Sequence, residues 1–160
     1  MRPEHYYHIA RPETASDIIR EGLRPNEDGE IFLLASRDTE QDVAINQLFL
    51  RHYALFEISE KGVGTVQGDD VAEASAFNSR ITRQSIAPEW CKHLGDFDAL
   101  AHPSEFDYQK QAKLGLSREL TDRLWSLQRR VADDELSREE VKSEQAEIYA
   151  AAGYNVEGLK

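Results

Sequence analysis

The opening of the chain alternates short apolar runs with polar, turn-forming segments, a pattern that predicts strands and short helices. Residues 5–10, HYYHIA, are rich in strand-favouring side chains and predict a first strand. Strand alternation places Tyr7 and Ile9 on one face and Tyr6 and His8 on the other. If Tyr7 and Ile9 face the core, His8 faces a cleft or solvent.

Three further strands are predicted downstream. Residues 31–35, IFLLA, are apolar throughout, which is typical of a strand covered on both sides and would place Phe32 in the core. Residues 54–58, ALFEI, and 79–86, SRITRQSI, predict the other two strands.

Two helices are predicted between the first three strands. Thr14 is a suitable N-cap for a short helix, and Gly22 lies just past its end. Asp38 or Thr39 would cap a second helix that runs to about Arg51.

The sequence pattern changes at residues 102–104, and beyond them apolar residues recur with the spacing of a helix. This divides the chain into an α+β domain over 1–103 and a helical segment over 104–160. One helical stripe carries Leu120, Leu124, Leu127 and Val131.

A second helix in this segment opens with a capping box. Ser137 and Glu140 form the box, and the acidic pair before it interrupts the apolar stripe. We therefore expect at least two helices, with a break between Ala132 and Ser137.

Composition excludes several classes of protein. The 160 residues carry a net charge of −11, which disfavours non-specific nucleic-acid binding. The single cysteine, Cys91, permits no intramolecular disulfide, and the five histidines lack metal-ligand spacing. With no signal-peptide pattern and no run long enough to cross a membrane, we expect a cytoplasmic protein without a bound metal.

The order YYHIA, DIIREGL, GEIFLLAS, QDVAINQLF, ALFEI over residues 5–95 resembles the ADP-ribosyltransferase-like superfamily, which includes DarT-like enzymes and RNA 2′-phosphotransferases. The resemblance implies an α+β fold with a split β-sheet core and short helices, followed here by the helical C-terminal segment. It also implies that NAD is the substrate and that ADP-ribose passes to a protein or nucleic-acid acceptor.

The resemblance implies a set of site residues as well. His8 matches the strand histidine that contacts a ribose of NAD, and Phe32, with Ser36 just beyond it, matches the wall beside the nicotinamide ring. The family's catalytic glutamate falls near Asn78, which is not an acid, and Glu73 is the nearest acid upstream. The remaining substrate-binding candidates are Tyr7, Arg11 and Arg83.

Two alternatives remain open at this point. A catalytically inactive relative would bind NAD or another nucleotide, or a protein, without cleaving NAD. The charged C-terminal helices would instead serve as an interaction module for a protein partner, with the N-terminal domain as their scaffold.

Overall fold

The computed structural model describes residues 3–68 and 79–156, so Glu73 and Asn78 lie outside the described residues. The chain divides into a first unit, Met1–Ala99, and a second unit, Leu100–Lys160. No helix in the described part is long and apolar enough to cross a membrane.

The first unit is built on an antiparallel sheet, which confirms the prediction of a mixed α+β protein. The described strands run in the order β4-β5-β2-β1-β3-β6. They are β1 His5–Ala10, β2 Ile31–Leu34, β3 His52–Ser59, β4 Val66–Gly68, β5 Ser79–Thr82 and β6 Cys91–Asp98.

The two central strands of this sheet, β1 and β2, share very little backbone pairing. β1 pairs with β3 along its whole length, and β2 pairs with β5 along its whole length. Between β1 and β2, by contrast, the register contains the single pair Tyr7 and Leu34. We call this junction the seam. The sheet therefore consists of two three-stranded halves, β4-β5-β2 and β1-β3-β6, that meet at the seam, and the strands of His8 and Phe32 are neighbours in it.

Both faces of the sheet are covered by apolar side chains. One face holds a cluster that includes Tyr6, Ala10, Ile31, Leu33, Phe56 and residues of the first helix. The other face holds a second cluster that includes Ile9, Leu34, Ala44, Tyr53 and Leu55. The predicted alternation along β1 is correct, and His8 lies half-buried on the face that carries the larger cluster.

Phe32 is the exception within the apolar run of β2. Ile31 and Leu33 point to one cluster and Leu34 to the other, as expected for a strand covered on both sides. Phe32, however, is 43% exposed, so the expectation that it lies in the core is wrong.

The first helix forms where the sequence predicts it. Helix α1, Ala15–Glu21, follows Thr14 and ends at Gly22, which has a φ of +80°. The second is shorter than predicted: α2, Glu40–Asp42, continues as a π-helix over Val43–Gln47 and stops before Arg51. Wide turns and a left-handed Phe49, with a φ of +56°, end it where no glycine is available.

The end of the first unit differs from the predicted strand at 79–86. β5 stops at Thr82, and Ile86 forms only an isolated bridge to Leu23. The chain then turns and forms β6, which the pattern does not predict. The register of β6 against β3 shifts beside Gly95, whose φ is +140°, and this shift breaks the alternation that marks a strand.

The second unit contains three helices in its described part. They are α3 Glu105–Ala112, α4 Arg118–Ala132 and α5 Arg138–Ala151. Each begins after a serine whose hydroxyl accepts a backbone N–H of the first turn, and the predicted capping box of Ser137 and Glu140 is present. The predicted break between Ala132 and Ser137 is confirmed. The helices share a core made of Leu116, Leu124, Leu127 and Ile148.

We predict that Gly22 and Gly29 respond differently to substitution by alanine, although both have a positive φ. A Cβ at Gly22 would lie 2.1 Å from the Ile86 carbonyl oxygen, whereas one at Gly29 would meet nothing within 4 Å. Gly22→Ala should therefore cost roughly 2–5 kcal/mol of unfolding free energy, from overpacking plus backbone strain. Gly29→Ala should cost only the strain, about 1–2 kcal/mol.

Urea unfolding of both variants measures the difference. Equal losses would contradict the close approach of the Gly22 backbone to the segment around Ile86.

Candidate functional site

A side-chain hydrogen bond crosses the sheet next to the seam. The Nδ1 atom of His8 on β1 lies 2.9 Å from the backbone carbonyl oxygen of Phe32 on β2. A carbonyl oxygen can only accept, so Nδ1 carries the proton and donates it. The bond links the two halves of the sheet where their backbones share only the Tyr7–Leu34 pair.

Burial sets the protonation state of His8. Loss of solvent lowers the pKa of its imidazole, and this effect outweighs the opposing effect of the Phe32 carbonyl, which favours the protonated ring. The ring is therefore neutral at pH 7, and its one proton is on Nδ1. The second ring nitrogen, Nε2, then has a free lone pair and acts as a hydrogen-bond acceptor.

Two aromatic neighbours extend the row that begins at His8. Phe56 lies opposite His8 on β3, and His93 lies opposite Phe56 on β6. The Phe56 and His93 rings stack with centroids 4.9 Å apart, and His93 Nε2 lies 3.2 Å from a carboxylate oxygen of Asp96. The side chains that continue this row from His8 are therefore two stacked rings, Phe56 and His93.

Phe32 and Ser36, which are predicted to contact the nicotinamide ring, are each two residues from Leu34, the β2 residue at the seam. Phe32 presents an exposed ring on the strand whose carbonyl binds His8. The Ser36 hydroxyl is buried and has no hydrogen-bond partner among residues 3–68 and 79–156. Tyr7 is half-buried on the opposite face from His8, and burial, followed by the charge of Glu57, raises the pKa of its hydroxyl.

The predicted arginines are not gathered at His8. Arg11 and Arg83 are exposed beyond the ends of β1 and β5, and in the described part of the chain neither is bonded to His8. The structure therefore brings the His8 ring to the Phe32 backbone, places the Phe32 ring on the opposite face of the sheet, and leaves both arginines in solvent. It does not describe Asn78 or Glu73.

A polar cluster that the sequence pattern does not predict lies on the other face of the sheet. The Nε of Arg37 donates to one carboxylate oxygen of Glu40 at 2.6 Å, and the Tyr53 hydroxyl donates to the other at 2.7 Å. Glu40 is only 7% exposed, and burial together with this carboxylate raises the pKa of Tyr53 strongly. In the sequence, Arg37 and Glu40 look like a surface pair on a helix, and nothing signals that Tyr53 joins them.

No metal site is evident in the part of the chain that the structure describes, where no three histidine, cysteine or acidic side chains are grouped to hold an ion. The described residues at the seam offer hydrogen bonding and ring packing. His8 can accept a bond from a ligand hydroxyl, and Phe32 can pack against a flat ring.

We predict that His8 makes the protein less stable in mild acid. Its pKa is lowered in the folded state, so below about pH 6.5, the ordinary histidine value, the unfolded chain binds more protons than the folded one. The free energy of unfolding should fall between pH 7 and pH 5.5, and should fall less in His8→Asn, which keeps a donor for the Phe32 carbonyl but does not titrate.

Urea unfolding of both proteins over this range measures the effect, and all other titrating groups are common to the two. Parallel pH profiles would show that His8 is not held neutral.

Comparison of the chain with protein-family models, with curated proteins and with solved structures finds no match.

Proposed function

We propose that the first unit binds NAD at the seam and transfers ADP-ribose to a protein or nucleic-acid acceptor. The observation that carries the proposal is the neutral His8 imidazole, fixed by the Phe32 carbonyl where the two halves of the sheet meet. A sheet divided in this way is also what the resemblance to ADP-ribosyltransferase-like proteins leads us to expect.

The chemistry of the two residues suits NAD. The free Nε2 of His8 accepts a hydrogen bond from a ribose hydroxyl, which orients the sugar. Phe32 contributes through its backbone: its carbonyl holds the His8 ring in place, whereas its exposed side chain lies on the opposite face of the sheet. Both roles are positioning roles, since neither residue supplies a charge.

The transfer itself needs a negative charge near the ribose. The bond between ribose C1′ and the nicotinamide nitrogen breaks, and its electron pair leaves with nicotinamide. The acceptor then bonds to C1′ and releases its proton to water. A carboxylate stabilises the positive charge that develops on the ribose, and we assign this role to Glu73, the nearest acid to Asn78.

Binding without cleavage is the second candidate function. The observation that favours it is the identity of residue 78, an asparagine that bonds a hydroxyl but cannot supply a negative charge. In that case the seam holds NAD or another nucleotide as a ligand, and nicotinamide is not released.

We predict that His8→Ala weakens NAD binding without unfolding the protein. Loss of one neutral hydrogen bond costs about 0.5–1.5 kcal/mol, or up to roughly a tenfold change in Kd. Isothermal titration with NAD, with melting curves alongside, measures both quantities. His5→Ala is the matched control, because His5 is on the same strand with its side chain on the opposite face, 3.6 Å from Glu57.

Release of nicotinamide separates the two functions. An ADP-ribosyltransferase releases nicotinamide from NAD and loses this activity in Glu73→Gln, whereas a binding module binds NAD and releases none. Absence of NAD binding to the wild type at millimolar concentration would remove the transferase and leave only a module that binds another nucleotide or a protein.

A further inference from the structure

Arg37 packs against stacked aromatic rings on the face of the sheet opposite His8. Its guanidinium lies over the Phe97 ring, 5.4 Å from the centroid. That ring stacks in turn on Tyr53, with centroids 5.8 Å apart, and Tyr53 belongs to the apolar cluster of this face. Stacking on Phe97, which is itself stacked on the buried Tyr53 ring, restricts a side chain that would otherwise sample many rotamers.

Glu40 fixes the orientation of the guanidinium. It accepts from Arg37 through Nε alone, at 2.6 Å, while its other oxygen accepts from the Tyr53 hydroxyl. Because Nε is used, the edge that carries Nη1 and Nη2 is directed elsewhere. Within residues 3–68 and 79–156, no side chain or carbonyl accepts from either Nη atom, and the Arg37 side chain is 44% exposed.

This arrangement differs from an ordinary surface ion pair. An exposed Arg–Glu pair three residues apart is flexible and contributes little. Here the carboxylate is buried, the guanidinium is stacked, and two of its nitrogens remain open to solvent. The ion pair with Glu40 explains why the Nε atom of Arg37 contacts a carboxylate. It does not explain the Nη1 and Nη2 donors, which take no part in that contact.

We propose that the Nη edge of Arg37 binds an oxyanion group, a phosphate or a carboxylate, of a small ligand. The paired donors of a guanidinium match two oxygens of either group. The preceding residue, Ser36, has a buried hydroxyl that has no hydrogen-bond partner in the described part of the chain, so a further polar group next to Arg37 in the sequence is unsatisfied. A nucleic-acid backbone is disfavoured as the source of the phosphate, because the protein carries a net charge of −11.

Titration with inorganic phosphate and with succinate, at constant ionic strength, tests the proposal on the full chain. Wild type should bind one of the two, and Arg37→Gln should bind it at least about tenfold more weakly, equivalent to about 1.4 kcal/mol. Arg24→Gln is the matched control, because Arg24 is exposed in the same unit and its loss changes the net charge equally. Preference for phosphate or for succinate identifies the group that the ligand carries.

A double variant distinguishes loss of ligand binding from loss of folding. Arg37→Gln leaves Glu40 buried without its cationic partner, whereas Arg37→Gln with Glu40→Gln keeps the net charge and keeps an acceptor for Tyr53. This variant should melt near the wild type and still fail to bind.

Retained binding in the folded double variant, or equal losses in the Arg37 and Arg24 variants, would overturn the proposal. So would tighter binding of a short single-stranded DNA than of phosphate. Neither probe contains ribose or nicotinamide, so the outcome is independent of whether the seam binds NAD.

Discussion

The backbone of β1 pairs with a strand on each side, and the two pairings differ greatly in length. On one side it is paired with β3 from His5 to Ala10, while on the other it shares only the Tyr7–Leu34 pair with β2. The Phe32 carbonyl, which faces β1, is satisfied by the His8 ring. Where the ladder is interrupted, strand pairing supplies no backbone donor for this carbonyl, and a side-chain donor takes its place. His8 supplies that donor, and its bond adds to the packing of the two apolar clusters, which both contain residues from the two halves of the sheet.

This constraint links structure to the proposed chemistry. A histidine that must donate through Nδ1, in a site where burial disfavours its charge, is left with Nε2 as an acceptor. The apolar clusters on both faces hold β1 and β2 in position, so the ring is fixed before any ligand arrives. Arg37 is fixed in a comparable way on the other face, by Glu40 and Phe97.

Sequence patterns predicted the features that depend on neighbouring residues. Thr14 before α1, the glycine at its end and the capping box at Ser137 are local signals, and the structure confirms the helices they predict, although the Thr14 side chain makes no capping hydrogen bond. β6 was missed because a shift beside Gly95 interrupts its alternation. The bond from His8 to Phe32 spans 24 residues and depends on strand order, and apolar character alone did not show that the Phe32 ring is exposed. The partner-binding role of the C-terminal helices stays a prediction.

The state of the His8 ring is the most direct test of this account. In protein labelled with ¹⁵N at histidine, the His8 signals, assigned by their loss in His8→Asn, report which nitrogen carries the proton. We expect a neutral ring at pH 7 with the proton on Nδ1, and a change at Nε2 when NAD is added. A proton on Nε2, a charged ring, or an Nε2 signal that does not respond to saturating NAD would contradict the account.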